Sequence, residues 1–126
     1  LAVMARELRD TQRRFTFLCG HDTNLRSILV SMGKEDYALP NTILRETPLG
    51  GKLVIEKRVK DGVAYGAVNF VYASDQQLRH LESLDLDNTP MVYSLKFQGL
   101  TPNEDGLYLY EDLLQSDLFG AILKEL

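Results

Sequence analysis

Cysteine is almost missing from these 126 residues. Cys19 is the only one, so no internal disulfide can staple the chain, and a single thiol says little about compartment. Histidine is nearly as scarce. His21 and His80 are the only two, and neither lies in a cluster of His and Asp at metal-ligand spacing, so the expected metal set is none. No apolar run approaches the ~18 residues of a membrane span, and no signal-peptide pattern is visible. A net charge of −4 leaves no electrostatic footprint for nucleic acid. Arg6, Arg9, Arg13 and Arg14 form a small basic cluster that reads as a solvated helix face. No Gly-rich phosphate loop ending in Lys-Ser/Thr occurs, so Gly50-Gly51 reads as a turn feeding the strand at Lys52. There is no internal repeat and no low-complexity linker. Length and ordinary composition fit one domain.

What is present centres on residues 15–32, FTFLC-GHDTN-LRSILVSM. Phe15 to Cys19 is a short apolar run, as expected of a strand covered on both faces, with Cys19 as packing. After Gly20 come His21 and Asp22. Leu25, Ile28, Leu29 and Met32 then recur at the spacing of an amphipathic helix. His21 and Asp22 should therefore stand where a buried strand hands over to a helix. Ligands bind at that place in open α/β sheets, and helix N-termini suit phosphate.

Elsewhere, Leu1, Met4, Ala5 and Leu8 give a first helix to about Asp10, and the chain reads as beginning inside it. Gly33 fits the residue just past the second helix. Residues 34–51 read as loop with a short turn of helix at most. Lys52–Val59 and Val63–Tyr72 are β-rich runs joined by Lys60-Asp61-Gly62, a hairpin signal. Gly66 marks a bulge or a close backbone approach. Ser74 and Gln77 form a capping box for a helix to about Ser83, with His80 on its polar surface. Met91, Tyr93, Leu95 and Phe97 alternate with more polar residues as in a strand, Pro102–Gly106 is a turn, and a last helical region follows with Leu113, Leu114, Leu118, Ile122 and Leu123. Gly120 argues against one unbroken helix there.

GHDTN after an apolar run resembles the second signature of the histidine acid phosphatases, in the branch that holds bacterial glucose-1-phosphatases and phytases. The resemblance continues through residues 47–54, TPLGGKLV, and residues 71–79, VYASDQQLR, the latter most like the glucose-1-phosphatase version. It runs over residues 1–126 in order and spacing. It implies an α/β fold, part of a three-layer αβα sandwich of the phosphoglycerate mutase type, with these residues forming a C-terminal segment that includes a β-hairpin. It also implies hydrolysis of small phosphate monoesters through a phosphohistidine, with no metal or organic cofactor. By resemblance His21 binds the phosphate, Asp22 donates a proton to the leaving alcohol, and Thr23 lies near substrate. Residues 71–79 favour sugar phosphate over inositol phosphate as substrate. Relatives are commonly periplasmic or secreted, and those from enterobacteria usually carry a disulfide near the C-terminus. Residues 98–107 hold no cysteine for it.

The chemistry suits the residue types. An alkoxide leaves poorly, and an acid within hydrogen-bond reach is worth about 10²–10⁴-fold. Cationic donors stabilise the charge spread over the transferring phosphoryl oxygens. The helix N-terminus and nearby cations favour the Asp22 carboxylate while a bound phosphate favours its protonated form, so an acidic optimum is expected. A structural reading of the same residues makes Asp22 the N-cap of the helix, a role worth ~0.5–2 kcal/mol, and His21 a hydrogen-bonded histidine without a ligand.

The family's RHGxRxP motif, which carries the nucleophile, is absent from these residues. The chain by itself is therefore expected to be inactive, its missing N-terminal counterpart supplying the nucleophile and the main phosphate-binding arginines. The Phe15–Cys19 strand is also expected to carry an unpaired edge, open to a second chain, a swapped domain or another oligomer contact. Two other functions fit less of the pattern: a non-catalytic phosphate-binding or interaction module, and a metal-dependent His-Asp phosphohydrolase.

Overall fold

The computed structural model describes residues 2–115. In chain order its elements are helices α1 (Ala2–Arg9) and α2 (Asp22–Ser31), strands β1 (Lys52–Lys60) and β2 (Val63–Tyr72), helix α3 (Asp75–Arg79), strands β3 (Met91–Ser94) and β4 (Tyr108–Leu109), and helix α4 (Tyr110–Gln115). The architecture is mixed α/β with one antiparallel four-stranded sheet.

The hairpin is the backbone of that sheet. Lys60 pairs with Val63, leaving Asp61 and Gly62 as a two-residue loop with φ of 52° and 77°. Positive φ at both positions matches the twist of the flanking strands, which Asp-Gly accommodates at low cost. β2 is the central strand. β1 runs along one side of it, while β3 and β4 share the other, opposite residues 69–72 and 65–66 respectively. The pairing with β1 runs through Gly66 without a bulge, Lys57 facing Gly66 directly. A close approach explains the glycine instead: a Cβ there would meet Leu113 Cδ2 at 2.9 Å.

Alternation along β2 and β3 builds the core. Val68, Phe70 and Tyr72 from β2 meet Leu95, Phe97 and Tyr108, together with Ala5 of α1, Leu29 and Met32 at the end of α2, Leu39 and Leu113. The expected alternation at 91–98 is present in burial, although the strand itself ends at Ser94. Beyond it the chain changes partner. Glu35 N–H donates to Lys96 O (2.8 Å) and Gln98 N–H to Gly33 O (2.9 Å), pinning the end of α2 to the residues after β3. The Tyr110 hydroxyl donates to Leu8 O and so joins α4 to α1.

The helix ends follow local chemistry. Gly33 adopts φ 71°, its N–H donates to Val30 O, and Lys34 N–H donates to Leu29 O, the two bonds of a Schellman closure. The Ser74–Gln77 capping box forms as expected, Ser74 Oγ accepting from Gln77 N–H and Gln77 Oε1 from Ser74 N–H. α3 nevertheless stops at Arg79 rather than near Ser83, because Leu81 turns to φ 50°. Residues 34–51 contain no helix. The turn at 103–106 is held by Asn103 Oδ1, which accepts from the Asp105 and Leu107 N–H groups. Leu118, Gly120, Ile122 and Leu123 lie outside the described residues. No described helix is long and apolar enough to cross a membrane.

Candidate active site

α2 begins at Asp22, with His21 as its N-cap at φ −115°, ψ 172°. This corrects the structural reading of Asp22: it is the first helical residue and not the cap. Two short bonds shape the corner. Asn24 Oδ1 accepts from His21 N–H at 2.9 Å, and Asp22 Oδ1 accepts from Thr23 N–H at 2.9 Å. The His21 carbonyl takes the first helical bond, from Leu25 N–H. Leu29 in the core anchors the helix, so its N-terminal turn projects from a fixed base. His21, Asp22 and Thr23 are all exposed, and Asp22 Oδ2 has no hydrogen bond among the described residues. A carboxyl oxygen left free at a helix N-terminus has the freedom a proton donor needs.

The residues before this corner depart from expectation. Phe15 to Cys19 forms no strand, and its main chain makes no hydrogen bond among the described residues. Phe15, Phe17 and Leu18 are 83%, 64% and 52% exposed, and Cys19 is exposed as well. The expected cover on both faces, and a packing role for Cys19, are therefore not found. The physical reason is that a strand is completed by its neighbours, and no described segment lies alongside this one to supply N–H and C=O partners. Glu7 does tie the run to α1, its carboxylate accepting from the Arg13 guanidinium and from Thr16 Oγ1 (2.8 Å). Those two hydrogen bonds, Arg13's first, hold the Glu7 carboxyl below its ordinary pKa.

The other two resemblance segments converge on the 34–51 loop. Thr47, buried beside the equally buried Pro48, accepts from Arg26 Nε of α2 at 3.2 Å, and Glu46 lies 3.9 Å from the same nitrogen. Gly51 is packed so closely on Phe70 that a Cβ would fall 2.5 Å from the ring. At the far end of the loop, Tyr72 donates to Pro40 O (2.7 Å), and the Asp75 carboxylate accepts from Thr42 Oγ1 and Ile43 N–H. The loop is thus the bracket that relates α2 to the sheet. Arg26 is the residue the motif reading passed over; its signal was its position one helical turn after Asp22. His80 is exposed at the end of α3, as expected of a surface residue.

A hollow of about 310 Å³ lined by Val3, Arg6, Glu7, Asp10 and Arg13 includes neither His21 nor Asp22. Among the described residues no group of three or more His, Cys, Asp or Glu side chains could hold a metal ion. The corner offers an imidazole, a carboxyl and helix N–H groups to an anion.

No family model matches the chain. Individual proteins do. It is 32% identical over 103 residues to a glucose-1-phosphatase of Providencia rettgeri, covering 79% of this chain and 24% of that protein. With a glucose-1-phosphatase of Salmonella typhimurium it shares 34% identity over 96 residues, 74% of this chain and 23% of the other. Among solved structures, the phytase of Citrobacter braakii superposes with a TM-score of 0.74 at 25% identity, over 95% of this chain and 33% of that one. The apo form of Hafnia alvei phytase gives 0.76 at 25% identity, over 96% and 32%. The chain spans about a quarter of the length of its curated relatives and about a third of the solved ones. It is a relative of the histidine acid phosphatases, corresponding to part of such a protein.

Proposed function

We propose that the chain is the C-terminal part of an acid phosphatase that hydrolyses small phosphate monoesters through a phosphohistidine formed on its missing N-terminal counterpart. His21 binds the transferring phosphoryl group, Thr23 lies beside it, and Asp22 protonates the departing alcohol. Sugar phosphate ranks ahead of inositol phosphate, in keeping with residues 71–79 and the glucose-1-phosphatase relatives. The observation that carries this reading is the placement of His21 and Asp22 at the start of a helix whose base is fixed in the core, with one Asp22 oxygen uncommitted. No metal or cofactor enters the scheme.

The test is leaving-group dependence. In the intact protein, Asp22→Asn should lower kcat/KM on an alkyl phosphate by about 10²–10⁴-fold, because an alkoxide needs the proton. Nitrophenyl phosphate, whose leaving group departs unaided, should lose far less. Equal losses on both substrates would remove Asp22 from the proton-donor role. The 126-residue chain assayed alone should show no turnover. Because the RHGxRxP motif is absent from the chain, a non-catalytic phosphate-binding module is the second reading, and an in-frame RHG motif upstream of Leu1 decides against it.

A further inference from the structure

The two ends of α2 are held in different ways. At the C-terminal end Leu29 is wholly buried, and Lys34 N–H donates to its carbonyl. Gly33 and Glu35 then bond through their main chains to Gln98 and Lys96. Toward the head, the side chains of Asp22, Asn24 and Ser27 bond only within the helix and its cap. Arg26 alone among the described α2 side chains makes a polar contact elsewhere. Its Nε donates to Thr47 Oγ1 at 3.2 Å and lies 3.9 Å from Glu46 Oε2. Thr47 is buried, and its hydroxyl has no other hydrogen bond among the described residues. Losing Arg26 would strand that polar group, so the contact is expensive to break.

Spacing adds a second point. Asp22 and Arg26 stand one helical turn apart, where a carboxylate and a guanidinium can pair. They do not pair here: the guanidinium is turned to the 34–51 loop, and Asp22 Oδ2 is left free. We propose that Arg26 is a positioning residue for the proton donor. Its clasp on Thr47 and Glu46 fixes the angle of the α2 head, and with it the place of the Asp22 carboxyl, while keeping its own cation off that carboxyl. The inference rests on the phosphatase reading. In that reading the P–O bond to the alcohol breaks as a histidine nitrogen bonds to phosphorus, and the alcohol oxygen takes the Asp22 proton. Leverage sets the size of the effect. Asp22 lies about 10 Å along the axis from Leu29, so a tilt of about 6° moves it about 1 Å. A misplacement of that size costs up to about 10²-fold. Several donors share the phosphoryl group and absorb such a shift, whereas a single carboxyl delivers the proton.

Kinetics of the intact protein tests this. Arg26→Gln should lower kcat on an alkyl phosphate by about 10–10²-fold with KM within about twofold, and should lower kcat on nitrophenyl phosphate less than about threefold. Thr47→Val removes the acceptor and should reproduce the selective loss; it carries the same comparison if Arg26→Gln does not fold. Arg26→Lys, still a cationic donor, should recover most of the rate. Added to Asp22→Asn, Arg26→Gln should cost nothing more on the alkyl phosphate, because it acts through the group already removed. Equal losses on both substrates, or additive losses in the double variant, would overturn the inference. So would a rise in KM at unchanged kcat, which would put the guanidinium on the substrate. A wild-type protein that hydrolyses no phosphate monoester would remove the phosphatase reading itself, whereas wild-type turnover that Arg26→Gln leaves intact would overturn the role of Arg26 alone.

Discussion

The β2-centred sheet and the run leading to His21 are both apolar in sequence, yet they end in opposite conditions. Phe70 is wholly buried with neighbours on two strands and a core around it; Phe17, with the same side chain, stands 64% exposed. The difference lies in where the partners are encoded. β2 finds β1 across a two-residue turn and β3 about twenty residues on, whereas residues 15–19 find no strand among the described residues. Apolar character supplies a reason to be buried, but a strand is buried only when something pairs with it.

Two substitutions of the same residue type sharpen the contrast most. Phe70→Ala should cost about 3–5 kcal/mol in urea unfolding, as deletion of a buried ring leaves a cavity. Phe17→Ala should stay within about 0.5 kcal/mol at concentrations where the chain is monomeric, as surface changes do. A large loss at Phe17 in the monomer would mean that the run is packed within its own chain, breaking the distinction.

Ser74→Ala should cost about 1 kcal/mol by the same measurement, through loss of the bond from Gln77 N–H that begins α3 at the sheet's end. The smallest effects are set by pH, and the two regions respond at opposite ends of the scale. Burial raises the phenol pKa of Tyr37, Tyr72, Tyr108 and Tyr110. The folded chain then holds protons that the unfolded chain releases near pH 10, so this contribution is complete below that value and fades as pH rises through the folded values. Glu7 behaves in the reverse sense. Its lowered pKa gives a contribution present above the ordinary carboxylate value and lost as pH falls through the folded one. A thermal-melt series across pH should therefore show an alkaline decline in the sheet, and NMR should show Thr16 released only at the acid end.

Local chemistry was the legible part. The Asp61-Gly62 turn, the Ser74 cap, the Gly33 helix stop and the alternation from Met91 to Phe97 each depend on residues a few positions apart, and each formed where its pattern lies. The corner at residues 21–23 was legible too, since its position at the head of α2 follows from the helical spacing behind it. Less legible were the early end of α3, set by the backbone turn at Leu81, and the close approach at Gly66, which needs knowledge of Leu113.

By itself, then, the sequence determined the hairpin, the Ser74 start of α3, the Gly33 stop of α2, and the neighbouring imidazole and carboxyl, because short-range bonds and side-chain periodicity act within a few residues. Only the tertiary structure decided that β2 is central, that the 34–51 loop joins α2 to the sheet through Arg26 and Thr47, and that Phe15–Cys19 stands uncovered. Those outcomes depend on which distant groups meet. An apolar run carries the same periodicity whether or not a partner for its main chain comes alongside.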